Sequence, residues 1–156
     1  MKRVFVLLTV LMLCGCASLL EGPNCGYSQN SEKKVSKSEL VAVIGFADGS
    51  SEISAQNKEV LRQVAEKAMS EKAKIVVYGH ASHRTITKNI LQRIFINLKI
   101  SNERAVKTAA TLISYGVETS NVNTLALFDS RPIKVEVDRA AEAANRRAEI
   151  YLYWLE

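Results

Sequence analysis

The alternation of strand-like and helix-like segments from about residue 40 onward restricts the fold of this chain more than any other feature. Residues 40–46 are apolar and β-branched and end in the turn-prone residues 48–51, which predicts a strand and its exit loop. Ser54 then has the character of a helix N-cap, and apolar residues recur after it at steps of three and four. Residues 74–80 predict a second strand.

The second half of the chain continues this alternation. Ser101 is predicted to cap a helix with a regular apolar face, and Gly116 is its expected C-terminal stop. Residues 122–128 predict a third strand and residues 147–155 a fourth, in which apolar residues alternate with polar and aromatic ones. We therefore expect one mixed α/β sandwich.

An additional amphipathic helix is predicted between the second strand and Ser101. From Arg84 to Asn97, apolar residues recur at spacings near four with basic residues beside them. Its apolar face either packs on the domain or forms a surface that binds a partner.

The N-terminus indicates export and lipidation. A basic start is followed by the apolar residues 4–13, which are too few to span a bilayer, since a transmembrane helix needs about 20, but enough for a signal peptide. The residues Leu13-Cys14-Gly15-Cys16 match a lipobox, in which a small residue precedes the cysteine that receives the lipid. We predict a signal peptide over residues 1–15 and lipidation of Cys16. The alternative is an ordinary secretory signal cleaved near Ala17-Ser18, in which Cys16 has no role.

Residues 16–38 are predicted to be the lipidated N-terminus and a flexible tether, and residues 39–156 the domain. The tether is rich in Ser, Asn, Gly and Lys, and a coil of this length has a root-mean-square reach of about 25 Å. Because Ala17, and not aspartate, follows Cys16, we expect sorting to the outer membrane, with the domain in the periplasm. Cys25 is left without an intrachain partner, so it either bridges to another chain or stays free.

The charge balance excludes one class of partner. Cleavage before Cys16 lowers the number of basic residues from 21 to 19 against 16 acidic ones, so the net charge falls from +5 to +3. This mild positive charge gives no basis for nucleic-acid binding.

Three ordered sequence blocks carry a resemblance to a known family. Gly79-His80 ends the second strand, residues 97–105 have the sequence N-L-K-I-S-N-E-R-A, and residues 145–147 are N-R-R. In this order and spacing the blocks resemble the OmpA-like domain family. With the signal and tether, the layout resembles that of the peptidoglycan-associated lipoproteins. The resemblance implies an α/β (α+β) fold, a βαβαββ two-layer sandwich with a mixed sheet, here with an inserted helical segment.

The resemblance also implies noncovalent binding of the peptide stem of peptidoglycan. In this family an arginine holds the carboxylate of diaminopimelate and an aspartate holds its ammonium; Arg104 corresponds to the arginine, and Asn97 to an asparagine of the same groove. If Ser101 caps a helix, Arg104 lies in its first turn, where free N–H groups favour an anion. A noncatalytic protein would then tether the outer membrane, through the lipid on Cys16, to the cell wall.

The aspartate of this pair is missing, because Ser82 stands at its position. A serine hydroxyl cannot neutralise an ammonium, and losing one partner of a desolvated charge pair costs about 2 to 5 kcal/mol. Three alternatives remain open. Asp48 or Asp129 replaces the acid; the ligand lacks the ammonium; or the domain has lost diaminopimelate binding and serves as an interaction subunit of an envelope complex, docking through residues 84–98.

Catalysis and metal binding are not expected. His80 and His83 lack a third ligand in a nearby motif, so we predict neither a metal nor another cofactor. Ser82 lies between these histidines without a nucleophile-elbow motif or an orienting acid, so we do not expect an enzyme. The expected partners are the stem peptide, the outer membrane and an envelope protein.

Overall fold

The computed structural model of the protein describes residues 34–84, 87 and 89–156. The predicted signal peptide, Cys16, Cys25 and most of the predicted tether therefore lie outside the described residues. None of the described helices is long and apolar enough to cross a membrane. The elements, in chain order, are β1 (Val35–Gly45), α1 (Ala55–Ser70), β2 (Lys74–Gly79), α2 (Ile90–Ser114), β3 (Val122–Ala126), α3 (Arg139–Asn145) and β4 (Arg147–Leu155).

The described strands form one mixed sheet in the order β1-β4-β2-β3. β4 lies antiparallel to both β1 and β2, whereas β2 and β3 are parallel. In this register Ile150 of β4 lies opposite Ala42 of β1 and Val77 of β2. The two long helices pack against each other and against the sheet. The two-layer sandwich with a mixed sheet is confirmed.

The core lies between this sheet and the helices. Alternate residues of β2 and β4 are buried and the residues between them are partly exposed, as expected for a sheet with one covered face. The Ser54 hydroxyl accepts a hydrogen bond from the Asn57 N–H, so Ser54 caps α1 as predicted. The fully buried core side chains from the sheet and both long helices are Ile44, Leu61, Ile75, Val77, Leu112, Ile150 and Leu152.

The predicted N-terminal cap at Ser101 is wrong. The inserted segment and the following helix form one continuous helix, α2, whose N-cap is Asn89. Nothing in the intervening sequence breaks a helix. Ser101 lies in its interior, where its hydroxyl donates to the Leu98 carbonyl and accepts from the Phe128 N–H. Arg104 is therefore not beside free helix N–H groups.

Other element boundaries also differ from the predicted ones. β1 begins at Val35, so residues 35–38 of the predicted tether belong to the sheet. The short helix α3 was not predicted, since its alanine-rich sequence has no apolar periodicity. The signal for it was Asp138, whose carboxylate caps α3 by accepting from the Ala141 N–H.

Candidate functional site

A cavity of about 530 Å³ lies where the loops after β1 and β2 meet α2. It collects residues from distant parts of the sequence because β1 and β2 both end at this edge. All four residues predicted to bind a ligand line it: Asp48, Ser82, Asn97 and Arg104. The remaining lining residues are Gly49, Ala81, Arg84, Ile96, Lys99, Ile100, Glu103 and Arg146.

The side chain of Arg104 is 1% exposed, yet it contacts the cavity. Its Nε donates to the Ser50 carbonyl at 2.9 Å and its Nη1 to the His80 carbonyl at 2.8 Å. The guanidinium also lies 5.3 Å from the ring centre of Phe46. None of the ion pairs among the described residues includes Arg104. Burial, and then the charge of Arg146, lower the pKa of Arg104 to about 10, so it remains charged at neutral pH.

Gly79 allows α2 to approach the sheet closely enough for these contacts. A Cβ atom at this position would lie 1.9 Å from the Ser101 carbonyl oxygen and 3.1 Å from the Ala105 Cβ. Ser101 precedes Arg104 by one helical turn. The end of β2 and the middle of α2 therefore touch through backbone atoms, which fixes Arg104 beside the His80 carbonyl.

Glu136 is the carboxylate beside Ser82, and the sequence analysis missed it. The Ser82 hydroxyl and the Arg84 N–H both donate to its Oε2, at 2.9 Å each. Its Oε1 accepts from the His83 N–H and the Asn145 amide, at 2.8 Å each. Burial alone would raise the pKa of Glu136, but these hydrogen bonds outweigh it and keep the pKa below its usual value.

Asn145 holds the loop that carries Glu136. It is completely buried, and its amide oxygen accepts from the backbone N–H groups of Ile133 and Lys134. Its amide nitrogen donates to the Lys134 carbonyl and to Glu136. The asparagine of the N-R-R block therefore has a structural role: it fixes the loop that buttresses Ser82.

One wall of the cavity is rich in arginine. Arg84 lies 2.7 Å from the Glu142 carboxylate, and Arg146 lies 4.0 Å from the same carboxylate and 3.8 Å from Asp48. Glu142 is thus shared between two cations. The Asp48 side chain is 92% exposed, so water screens its charge.

Asp129 does not line the cavity, so the structure gives no support to Asp129 as the substitute acid. Its Oδ2 lies 2.7 Å from Nδ1 of His83, and it is 3.7 Å from Nε of Arg93. This cluster ties the loop after β2 to the loop after β3 and to α2. Asp129 therefore stabilises the loops beside the cavity.

His80 is a buried, uncharged histidine. Within the described residues neither ring nitrogen has a hydrogen-bond partner, although Nε2 lies 3.7 Å from the Glu149 carboxylate. Burial, and then the charge of Arg147, lower the pKa of His80 to about 4. The described residues contain no group of three or more His, Cys, Asp or Glu side chains arranged to hold a metal ion.

Residue patterns explain which lining residues were found. Ile100, Glu103 and Arg104 follow Asn97 by three, six and seven residues, so a single helix places them on one side. Glu103 was detectable once α2 is taken as continuous. No local signal indicated Glu136, which lies 54 residues from Ser82 in a loop without periodicity.

Comparison with known proteins agrees with this geometry. The OmpA family matches residues 45–148, well over half of the chain. The chain belongs to the OmpA family. This match runs from the end of β1 into the start of β4 and includes every residue that lines the cavity. The resemblance of the three sequence blocks is thereby confirmed.

The relatives and similar structures come from several bacteria. The chain is 37% identical over 57 residues to the probable lipoprotein YiaD of Escherichia coli K12, which is 36% of this chain but only 26% of YiaD. The fold is similar to that of the peptidoglycan-associated lipoprotein of Burkholderia pseudomallei, with 24% identity, a TM-score of 0.63 and coverage of 72% of this chain and 89% of that one.

Two further structures share the OmpA-family fold. The cell wall anchor of the T6SS from Pseudomonas aeruginosa has 23% identity and a TM-score of 0.60, with coverage of 71% of this chain and 78% of that one. The C-terminal domain of Helicobacter pylori MotB has 18% identity and a TM-score of 0.61, with coverage of 71% and 84%.

Proposed function

We propose that this OmpA-family protein is a noncatalytic, lipid-anchored envelope protein that binds the stem peptide of peptidoglycan in the Arg104 cavity. Through the lipid on Cys16 it tethers the outer membrane to the cell wall, with its domain in the periplasm. The observation that carries the proposal is a buried guanidinium facing a cavity without an ion-pair partner among the described residues.

The electrostatics of this cation favour an anionic ligand. Arg104 donates its hydrogen bonds to carbonyl oxygens, which hold the guanidinium in place but do not neutralise its charge. A charge taken out of water is stabilised strongly by an opposite charge within contact distance. Lys99 adds positive potential at the same cavity, and the lining as a whole holds four cations against two acids. A ligand carboxylate is the group that fits this environment, and an arginine binds it in a defined orientation.

The family supplies the class of ligand. Stem peptides of peptidoglycan are rich in carboxylates, and similar structures are named as a peptidoglycan-associated lipoprotein and a cell wall anchor. The lipid anchor is supported by the lipobox at Cys16 and by the relative named as a probable lipoprotein.

Co-sedimentation with purified sacculi tests this function. The purified full chain in mild detergent is expected to pellet with sacculi. Lys99→Glu is expected to reduce the pelleted fraction severalfold, because it reverses an exposed charge at the cavity without removing a structural contact. Lys58→Glu is the matched control, since it makes the same charge change at an exposed position outside the cavity. Wild-type protein that stays in the supernatant would exclude cell-wall binding.

A second candidate function rests on the exposed face of α2. The first turns of α2 carry large apolar side chains that the rest of the domain does not cover. From the sequence, packing of this face on the domain was one of two alternatives. The residues more than 60% exposed are Ile90, Leu91 and Phe95. This surface favours an interaction subunit that docks a protein of the envelope complex.

The same sedimentation experiment tests whether the wall is bound by the cavity or by the exposed face of α2. Phe95→Asp places a charge in the centre of the apolar face but not in the cavity lining. We expect this variant to pellet like wild type if the cavity binds the sacculus. Loss of pelleting in Phe95→Asp, with Lys99→Glu unaffected, would instead assign wall association to the α2 surface.

A further inference from the structure

Glu103 is an acid of the cavity lining whose charge is not compensated within the domain. It is partly buried on α2 directly before Arg104, and both residues line the cavity. Among the described residues, the Glu103 side chain takes part in no ion pair and no hydrogen bond. Of the basic residues one helical turn away, Lys107 is paired with Glu52, and Lys99 forms no ion pair within the described part of the chain. A cation brought by a ligand can therefore approach Glu103.

The other acids around the cavity are engaged elsewhere or lie in water. The Asp48 side chain is 92% exposed and lies 3.8 Å from Arg146. Glu142 is shared between two arginines. Glu136 accepts four hydrogen bonds from neutral groups and does not line the cavity. Glu103 is thus the partly buried acid of the lining that keeps its charge for a ligand.

Glu103 and Arg104 are neighbouring opposite charges that do not pair with each other. The guanidinium is held by two backbone carbonyls, and no ion pair joins it to Glu103 in the described structure. Burial and the charge of Arg146 lower the pKa of Arg104, whereas the charges of Asp48 and Glu103 raise it, so Glu103 acts on the guanidinium through space. Two opposite charges held apart in one cavity are complementary to a ligand that carries both.

The zwitterionic head group of an amino acid carries both charges at the required separation. Its carboxylate and ammonium are bonded to one carbon atom, and consecutive residues have Cα atoms about 3.8 Å apart. An arginine binds the carboxylate through parallel hydrogen bonds, and the three donors of the ammonium remain free for a neighbouring carboxylate. The side-chain end of diaminopimelate is such a head group. The C-terminal carboxylate of a peptide has only a neutral amide nitrogen beside it.

We infer that Glu103 binds the ammonium of an amino-acid head group whose carboxylate is held by Arg104, and that Glu103 replaces the acid missing at Ser82. The residue that selects the ligand then lies on α2 and not in the loop after β2. The inference rests on the proposed function and deepens it, because it names the group of the stem peptide that the cavity recognises.

Two synthetic tripeptides test the recognition of the ammonium. One ends in diaminopimelate and the other in aminopimelate, which keeps the side-chain carboxylate but lacks the amine beside it. In titration calorimetry with the full chain in detergent, the wild type is expected to bind the diaminopimelate peptide about five- to tenfold more tightly. This factor corresponds to about 1 to 1.4 kcal/mol, which is close to the interaction of two charges about 4 Å apart in water.

Glu103→Gln removes the charge and keeps the size of the side chain. This variant is expected to bind both peptides equally, because only the diaminopimelate peptide presents an ammonium. Glutamate and glutamine have similar helix propensities, so the urea midpoint should not change. Asp48→Asn is the matched control, since it makes the same charge change at the other acid of the lining. It should keep the preference of the wild type.

The outcomes separate this inference from the proposed function. Wild-type protein that binds both peptides equally, or prefers aminopimelate, overturns the inference and leaves cell-wall binding standing. A preference that survives Glu103→Gln, or that Asp48→Asn abolishes, also overturns it. Wild-type protein that pellets with sacculi but binds neither peptide overturns the inference alone. Protein that neither pellets nor binds overturns both.

Discussion

Replacing Arg104 with alanine is expected to lower the free energy of unfolding by about 2 to 4 kcal/mol and to abolish ligand binding. The loss of stability arises because the Ser50 and His80 carbonyls lose their donor and a buried side chain leaves a void beneath α2. Relief of the buried charge offsets part of this loss. Urea denaturation of the variant and the wild type measures the difference.

A matched arginine separates this effect from a general loss of charge. Arg62 on α1 is half-exposed and forms surface ion pairs with Glu59 and Glu66. We expect Arg62→Ala to leave the urea midpoint nearly unchanged, since exposed ion pairs contribute little. If Arg104→Ala proves no more destabilising than Arg62→Ala, the guanidinium does not bridge the loops in the way described.

Gly79→Ala is expected to destabilise the domain by about 3 kcal/mol or more, although it adds a single methyl group. That methyl would lie 1.9 Å from the backbone carbonyl oxygen of Ser101, and a helix backbone cannot rotate away as a side chain can. α2 must therefore shift, which displaces Arg104 from the His80 carbonyl. Thermal unfolding should show a lower Tm, and sacculus binding should weaken as well.

Gly45→Ala provides the control for this prediction. Gly45 also lies at the end of a strand, but a Cβ there has no atom within 4 Å among those of the described residues. We expect Gly45→Ala to be neutral or slightly stabilising, because alanine loses less backbone entropy than glycine on folding. Equal effects at the two glycines would argue against a close contact between β2 and α2.

Most of the fold follows from periodicity in the sequence. The strands around Ile75 and Ile150 and the apolar face of α1 are strongly patterned, and burial of one face is enough to produce that pattern. Boundaries are less determined. Ser101 has the residue type of a cap but lies inside α2. Its hydroxyl is satisfied within the helix, because it donates to the Leu98 carbonyl and accepts from the Phe128 N–H. The close approach of Gly79 to the Ser101 carbonyl holds this part of α2 against the sheet.

The candidate site was only partly predictable, and for a physical reason. Arg104 and Asn97 belong to a recognisable block, and the structure places both at the cavity. The partner of Ser82 could not be predicted, because Glu136 reaches it through a loop positioned by Asn145 and not through any regular element. Tertiary hydrogen bonds of this kind leave no periodic trace in the sequence.

Nuclear magnetic resonance of the isotope-labelled protein with a soluble muropeptide is the most direct test of where the ligand binds. The Nε–H of Arg104 is buried and hydrogen-bonded to the Ser50 carbonyl, so its signal should be protected from exchange and reports on the cavity. We predict that this signal and the backbone amides of Gly49 and Ser82 shift on titration. Shifts confined to the exposed face of α2 around Phe95, with the Arg104 signal unmoved, would contradict the account.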